Sequence, residues 1–133
     1  MTDRDLQREA VEADYAVREA KAQLDAARRR VDAISAMRAK RTIAATASVF
    51  GVSVDGILGP RRTAELAEAR AVAIWILRHE LALTYPALGR MFNRHHTTAI
   101  SAVQRIDKRL DDHAVSMAAL IDSIRRAANE RHV

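Results

Sequence analysis

The sequence predicts an all-α protein in which a long amphipathic helix of the coiled-coil type precedes a compact helical domain. Hydrophobic residues make up 49% of the chain and aromatic residues only 4%, which favours helices packed through small side chains over a β-sandwich. Only four glycines and two prolines occur among 133 residues, so helices should be long and loops short. The first 34 residues repeat apolar positions at alternating steps of four and three, which is a heptad pattern.

The predicted long helix has an apolar seam that is poor in large side chains. The seam consists of Leu6, Ala10, Ala13, Val17, Ala20, Leu24, Ala27, Val31 and Ile34. Because four of these nine positions are alanine, each turn buries little area and the helix needs a partner. We expect residues 6–34 to form a homo-oligomer or to bind a helical protein partner. Docking onto the rest of this chain is the alternative.

A change of pattern divides the chain. The seam gives way after residue 41, and Gly51 is suited to end a helix. We therefore predict a long helix over residues 1–41, a second domain over residues 42–128 and a tail over residues 129–133. The second domain begins with a short helical turn held by Val54, Ile57 and Leu58.

Four further helices are predicted in the second domain. Thr63 caps the first, which runs over residues 64–82, and Thr84 caps a short helix with Pro86 in its first turn. After a turn at Asn93 and Arg94, a third helix starts at His95. The last follows a linker at residues 111–112, with Val115, Leu120, Ile121 and Ile124 on its apolar face.

The short helix, the turn and the helix after it are the parts of a helix-turn-helix. Thr97 and Thr98 are weak helix formers, and Arg94, His95 and His96 precede them. The amino-terminal end of a recognition helix points into the major groove, where hydroxyls and imidazoles can bond base edges. This pattern favours binding to duplex DNA.

Charge and composition narrow the function class. The formal charge is +5, from 22 basic and 17 acidic residues, which favours a polyanionic partner. The absence of cysteine excludes disulfides, thiolate metal sites and cysteine nucleophiles. No run approaches the roughly 18 apolar residues of a membrane span, and no signal peptide is evident. We expect a cytoplasmic, nucleoid-associated protein that is not an enzyme and needs no cofactor or metal.

Several motifs follow one another along the second domain: Val52 to Leu58, Arg61-Arg62, Arg70, Leu83 to Gly89 and Phe92 to Thr98. Together they resemble one family, the DNA-binding domain of the bacterial replication initiator DnaA. The resemblance covers about residues 42–128 and implies a helix-turn-helix fold of the Trp-repressor-like type. No Gly-rich phosphate loop of the Lys-Ser/Thr type occurs in the chain. We therefore expect it neither to bind nucleotide nor to melt an origin alone.

The resemblance also implies roles for individual residues at the DNA. Base contacts are implied for Arg62 in the minor groove, for His95, His96 and Thr97 in the major groove, and for Arg94. Phosphate contacts are implied for Arg61, Arg70, Arg78, Tyr85, Pro86, Thr98, Ser101 and Arg105. The family usually has aspartate where this chain has His95. Because aspartate accepts from cytosine and histidine can donate or accept, base preference there should be changed or relaxed.

Other interpretations concern the same residues. His95 and His96 form a poor metal pair because no third ligand has suitable spacing. Trp75 suits a core better than a base-stacking platform, and Arg28 to Arg30 suit a solvated helix face better than a DNA contact. The expected function is binding of DnaA-box-like sites in replication initiation or its control. A transcriptional regulator, or an adaptor whose first helix binds a protein partner, is the alternative.

Overall fold

The computed structural model describes residues 2–130, which form six helices and thereby confirm the all-α prediction. The helices are α1 (Asp3–Phe50), α2 (Val54–Leu58), α3 (Ala64–Leu81), α4 (Tyr85–Met91), α5 (His96–Asp112) and α6 (Ala114–Glu130). Of the predicted tail, residues 129 and 130 complete α6, and residues 131–133 lie outside the described part. No helix described here is both long and apolar enough to cross a membrane.

Helix α1 contributes to two compact units, Met1–Ala36 and Met37–Val133. The change of pattern after residue 41 does not end the helix, because Ala39, Ile43 and Ala47 continue an apolar face that becomes buried in the second unit. The helix ends at Gly51, whose φ of +69° gives the left-handed conformation that glycine adopts without strain. The domain division at residues 41 and 42 stays a prediction.

The first unit is a single stretch of α1 with a capping box at its start. The Thr2 hydroxyl oxygen accepts a bond from the Asp5 N–H (3.3 Å), and the Asp5 carboxylate accepts from the Thr2 hydroxyl (2.8 Å) and N–H (3.2 Å). The side-chain and then the backbone hydrogen bond from Thr2 lower the pKa of Asp5. Helix α1 therefore begins at Asp3 with its first turn held by this pair of side chains.

Helix α3 lies at the centre of the second unit, with Val72, Ile76 and Leu77 almost wholly buried. Polar contacts along its flanks tie the neighbouring helices to it. The Trp75 indole N–H donates to Asp107 of α5 (2.8 Å), so Trp75 is half-buried at the edge of the core. Ion pairs of Arg109 with Glu68 and of Arg125 with Glu80 connect α5 and α6 to α3.

Two apolar residues expected in the core are exposed. Val115 is 87% exposed because it lies in the first turn of α6, whose buried face is formed by Met117, Ile121 and Ile124. Val54 is 38% exposed at the first position of α2. Residues 111–112, expected in a linker, form the last turn of α5, and the break between α5 and α6 lies at His113.

Candidate nucleic-acid interface

Helix α5, the second helix of the helix-turn-helix, begins one residue later than predicted, because His95 is its N-cap. The Nδ1 atom of His95 accepts a bond from the Thr97 N–H (3.3 Å) and lies 2.9 Å from the Thr97 hydroxyl oxygen. An imidazole thus fills the place that a Ser, Thr, Asn or Asp side chain usually takes at a helix start. His95, His96, Thr97 and Thr98 are all exposed.

This cap determines which nitrogen of the His95 ring carries the proton. An Nδ1 that accepts from a backbone N–H carries no proton, so the proton of the neutral ring resides on Nε2. The Thr97 hydroxyl can then donate to the same Nδ1, which leaves its oxygen lone pairs as acceptors. The ring of His96 stacks on that of His95, with centroids 4.2 Å apart. Together His95 and Thr97 offer one donor and one acceptor at the start of α5.

Helices α4 and α5 meet at Gly89. A Cβ atom at this position would lie 2.8 Å from the Arg94 carbonyl oxygen, closer than Cβ atoms come to such an atom, and in tight contact with the His96 nitrogen at 3.1 Å. The turn is closed by the Arg94 N–H, which donates to the Gly89 carbonyl (2.8 Å). Asn93 takes the left-handed conformation there, with φ of +52°, as asparagine often does.

Two arginines converge on the Gly59 carbonyl, an arrangement that we call the Gly59 clamp (Arg70, Arg94 and the Gly59 carbonyl oxygen). Arg94 of the turn donates to this oxygen at 2.8 Å, and Arg70 of α3 at 3.3 Å. Arg70 also donates to the carbonyls of Ile57 (2.7 Å), Gly56 (3.2 Å) and Arg61 (3.0 Å). The clamp fixes the loop that carries Arg61 and Arg62 against the helix-turn-helix.

A basic groove of about 430 Å³ lies beside the recognition helix. Its polar lining residues are Arg62, Arg70, Arg94, Thr98, Ser101 and Arg105, and no carboxylate lines it. Burial lowers the pKa of Arg70, and the charges of Arg94 and Arg62 lower it further. Four guanidinium groups without a carboxylate among them repel one another, so the groove is suited to bind an anion.

The structure separates the remaining predicted phosphate contacts into two groups. Thr98, Ser101 and Arg105 are exposed along one side of α5, and the Arg105 guanidinium also donates to the Ala67 carbonyl (3.3 Å). Arg78 lies elsewhere: it donates to the Leu83 carbonyl (2.9 Å) and its guanidinium stacks 4.3 Å over the Tyr85 ring.

The start of α4 offers fewer free backbone N–H groups than a helix start usually does. Pro86 has no N–H, and the Ala87 N–H is bonded to the Thr84 hydroxyl (3.2 Å). Tyr85 therefore supplies the backbone N–H with which this helix start can bind an anion, and its half-buried ring supports Arg78.

Sequence reasoning missed the structural role of Arg70, although a signal was present. Arg70 follows Leu66 by four residues and precedes Leu77 by seven, which places it on the buried face of α3. It is only 6% exposed. A charged residue at such a position indicates a partner inside the fold, here the carbonyls around Gly59. Within the described part, no group of three His, Asp or Glu side chains could hold a metal ion.

Comparison with known proteins identifies relatives of the second unit. A family model described as the bacterial dnaA protein helix-turn-helix matches residues 39–106. The chain is 39% identical over 70 residues to the chromosomal replication initiator protein DnaA 1 of Chlamydia muridarum, which is 53% of this chain and 15% of that protein. It is 37% identical over 62 residues to DnaA of Mycoplasma pneumoniae, which is 47% of this chain and 14% of that protein. The chain thus spans less than a fifth of the length of these relatives.

Proposed function

The chain belongs to the family of bacterial DnaA helix-turn-helix domains, and from this premise we propose that it binds DnaA-box-like sites in duplex DNA, in replication initiation or its control. Membership in the family supports DNA binding connected with replication initiation. The relatives that share the domain are chromosomal replication initiators. Recognition of a particular site is the further step that we propose.

The basic groove is the observation that carries this proposal. Four arginines and two hydroxyl residues, Thr98 and Ser101, line it without a carboxylate, and it adjoins the exposed start of α5. A phosphate backbone supplies the negative charge that such a groove needs. Phosphate contacts from Thr98, Ser101 and Arg105 would hold α5 in one orientation on the duplex.

Base recognition is proposed for His95, His96 and Thr97, with Arg62 in the minor groove. The three α5 residues are exposed at the end of a recognition helix, where side chains contact base edges in the major groove. Arg62 is exposed on the loop that the Gly59 clamp fixes. Arg94 has its guanidinium bonded to three carbonyls, those of Gly59, Phe92 and Asn93, so we propose that it acts mainly by holding this loop.

Selection of bound sequences from random duplex DNA, at two salt concentrations, tests the proposal. Phosphate attraction falls steeply with salt, whereas base contacts persist. We expect one enriched motif at both concentrations, sharper at the higher one. A flat profile at both concentrations would show that the protein binds DNA without sequence preference.

Two adjacent threonines provide a matched pair for this experiment. Thr97→Val and Thr98→Val make the same chemical change one residue apart. We expect Thr97→Val to change the selected base at one position, because the acceptor beside His95 is lost, with discrimination falling by about 1–3 kcal/mol. Thr98→Val should weaken binding to all sequences alike. Equal effects of both variants on the motif would contradict the assigned roles.

For the first unit, we propose a pairing role. The apolar seam over residues 6–34 would join two chains or a chain and a helical protein partner, so that DNA-binding units act together. The second candidate is an adaptor that acts mainly by binding a protein through this seam. It is supported by the exposure of Val17, Val31 and Ile34, each about 60%.

A further inference from the structure

The seam of the first unit is exposed at every position except Ala27, which is half-buried. Leu6 is 51% exposed, Leu24 54%, and Val17, Val31 and Ile34 between 60% and 61%. A continuous apolar stripe of this kind marks a surface that associates with another. We infer that residues 3–34 of two copies of this chain pair as an antiparallel two-helix coiled coil in which Ala10 of one copy faces Ala27 of the other. The inference rests on the proposed pairing role and gives it a partner, a direction and a register.

Heptad positions follow from the spacing of the seam. Leu6, Ala13, Ala20, Ala27 and Ile34 occupy position d, and Ala10, Val17, Leu24 and Val31 occupy position a. The residues that flank the seam are then Glu9, Ala16, Gln23 and Arg30 at position g and Gln7, Asp14, Lys21 and Arg28 at position e. These flanking positions decide the partner and the orientation in coiled coils.

The two halves of the first unit carry opposite charge. Residues 3–19 contain six acidic and three basic side chains, and residues 20–36 contain four basic and two acidic ones. A parallel pair aligns acidic half with acidic half and basic half with basic half. An antiparallel pair brings each acidic half against a basic half, which favours that direction.

The flanking residues show the same preference pair by pair. In a parallel pair, position g faces position e of the next heptad, so Glu9 would meet Asp14 of the second copy. In the antiparallel pair, g faces g and e faces e. Glu9 then meets Arg30 of the second copy and Asp14 meets Lys21, each contact occurring twice by symmetry. Of these four residues, only Asp14 already has an ion-pair partner within the described first unit, namely Arg18 at 3.0 Å.

Packing of the seam also differs between the two directions. A parallel pair places each alanine against its own copy, so four of the seam layers contain only alanine. In the antiparallel register, Leu24 faces Ala13 and Val17 faces Ala20, and only the layers of Ala10 and Ala27 contain alanine alone. Large side chains facing small ones fill space between helices that approach closely. A shift by one heptad would set Lys21 against Lys21 of the second copy in one direction and Asp14 against Asp14 in the other, which disfavours both registers.

Cysteine cross-linking of the full-length chain tests direction and register, because the natural sequence has no cysteine. Ala10→Cys and Ala27→Cys are prepared separately, then oxidised alone and as a mixture. We expect a disulfide-linked dimer only in the mixture. The two Ala10 positions of an antiparallel pair lie 17 residues apart along the axis, about 25 Å, whereas a disulfide needs Cα atoms within about 7 Å.

Other outcomes of this experiment overturn the inference. Rapid cross-linking of each variant alone would indicate a parallel pair, and no cross-link in the mixture would exclude this register. A monomeric chain in sedimentation would exclude pairing altogether. Ala22→Cys, on the opposite side of the helix at position f, is the control. It should not cross-link whether the pair is parallel or antiparallel.

A charge swap supplies a second measurement. At low salt, Glu9→Arg or Arg30→Glu should each raise the dimer dissociation constant about tenfold, and the double variant should restore it. Glu12→Arg, at position c, is the matched control and should have little effect. A double variant as weak as the single ones would contradict the Glu9–Arg30 contact. If the natural chain selects a DNA motif but does not pair, this inference alone is refuted. If it pairs but gives a flat DNA profile, only the proposed function is refuted.

Discussion

Under the proposed function, His95 combines helix capping and base contact in one side chain. Its Nδ1 accepts from the Thr97 N–H, so the Nε2–H is the group left to meet DNA. A donor in the major groove matches the acceptors of guanine, of thymine O4 or of adenine N7, but does not match the cytosine amino group. The sequence leaves open whether a neutral His95 donates or accepts a hydrogen bond at the DNA. The cap favours the donor.

Replacing His95 with aspartate should reverse this preference. Aspartate also caps helices, so the free energy of unfolding should change by less than about 1 kcal/mol, while the donor becomes an acceptor. We expect the selected base to change at one position toward one that presents an amino group, cytosine or adenine, by about 1–3 kcal/mol. Sequence selection with both proteins measures this. His95→Asn, which caps and both donates and accepts, should relax the preference; an unchanged motif in His95→Asp would show that His95 contacts no base.

Individual residues also show which contacts the sequence can predict and which it cannot. The cap residues Thr63 and Thr84 were predictable because their effect is local: each hydroxyl accepts from an N–H three residues later. The convergence of Arg70 and Arg94 on Gly59 was not, since it joins residues 35 positions apart in the sequence. The basic groove depends on this convergence, so its composition could be inferred residue by residue but its geometry could not.

At the scale of helices, the close approach of α4 and α5 depends on one missing side chain. In an isolated helix, Gly89→Ala would stabilise by up to about 1 kcal/mol. Here the added carbon meets backbone atoms of Arg94 and His96, which cannot rotate away as a flexible side chain does. The position of α5 therefore depends on the absence of a side chain at Gly89.

We therefore expect Gly89→Ala to lower the free energy of unfolding by about 1–3 kcal/mol and to weaken DNA binding. Denaturant unfolding and a binding titration measure the two effects. Arg90→Ala, at the next and exposed position, is the stability control and should stay within about 0.5 kcal/mol of the natural chain. Unchanged stability in Gly89→Ala would mean that the turn relaxes without cost.

Helix periodicity predicted all six helices because apolar spacing is a local property. It does not determine which residues of a helix are buried, because burial depends on packing against other helices. The pattern changes after residue 41 although α1 continues to Phe50, because a helix can exchange an exposed seam for a buried face without interruption. Val115 was assigned to the core on periodicity, but its place in the first turn of α6 leaves it exposed.

For the whole molecule, pairing and DNA binding should be separable by substitution. Leu24→Arg places a charge in the seam, where Leu24 is exposed, so it should disrupt pairing without unfolding the second unit. We expect unchanged affinity for a duplex with one site and loss of the extra affinity for a duplex with two sites, about 10²-fold or more where both sites can be reached. Ala22→Arg, on the opposite side of the same turn, is the control. Equal affinity of the natural chain for both duplexes would show that pairing adds nothing to DNA binding.

The Gly59 clamp has a consequence for the DNA itself. Because one carbonyl oxygen binds arginines from both α3 and the turn, the loop with Arg62 and the start of α5 are held at a fixed separation. Under the proposed function, these two groups enter the minor and the major groove of one duplex. A rigid spacing between two grooves responds to the twist and groove width of the DNA between them, so base pairs that no side chain touches would also influence affinity through their deformability.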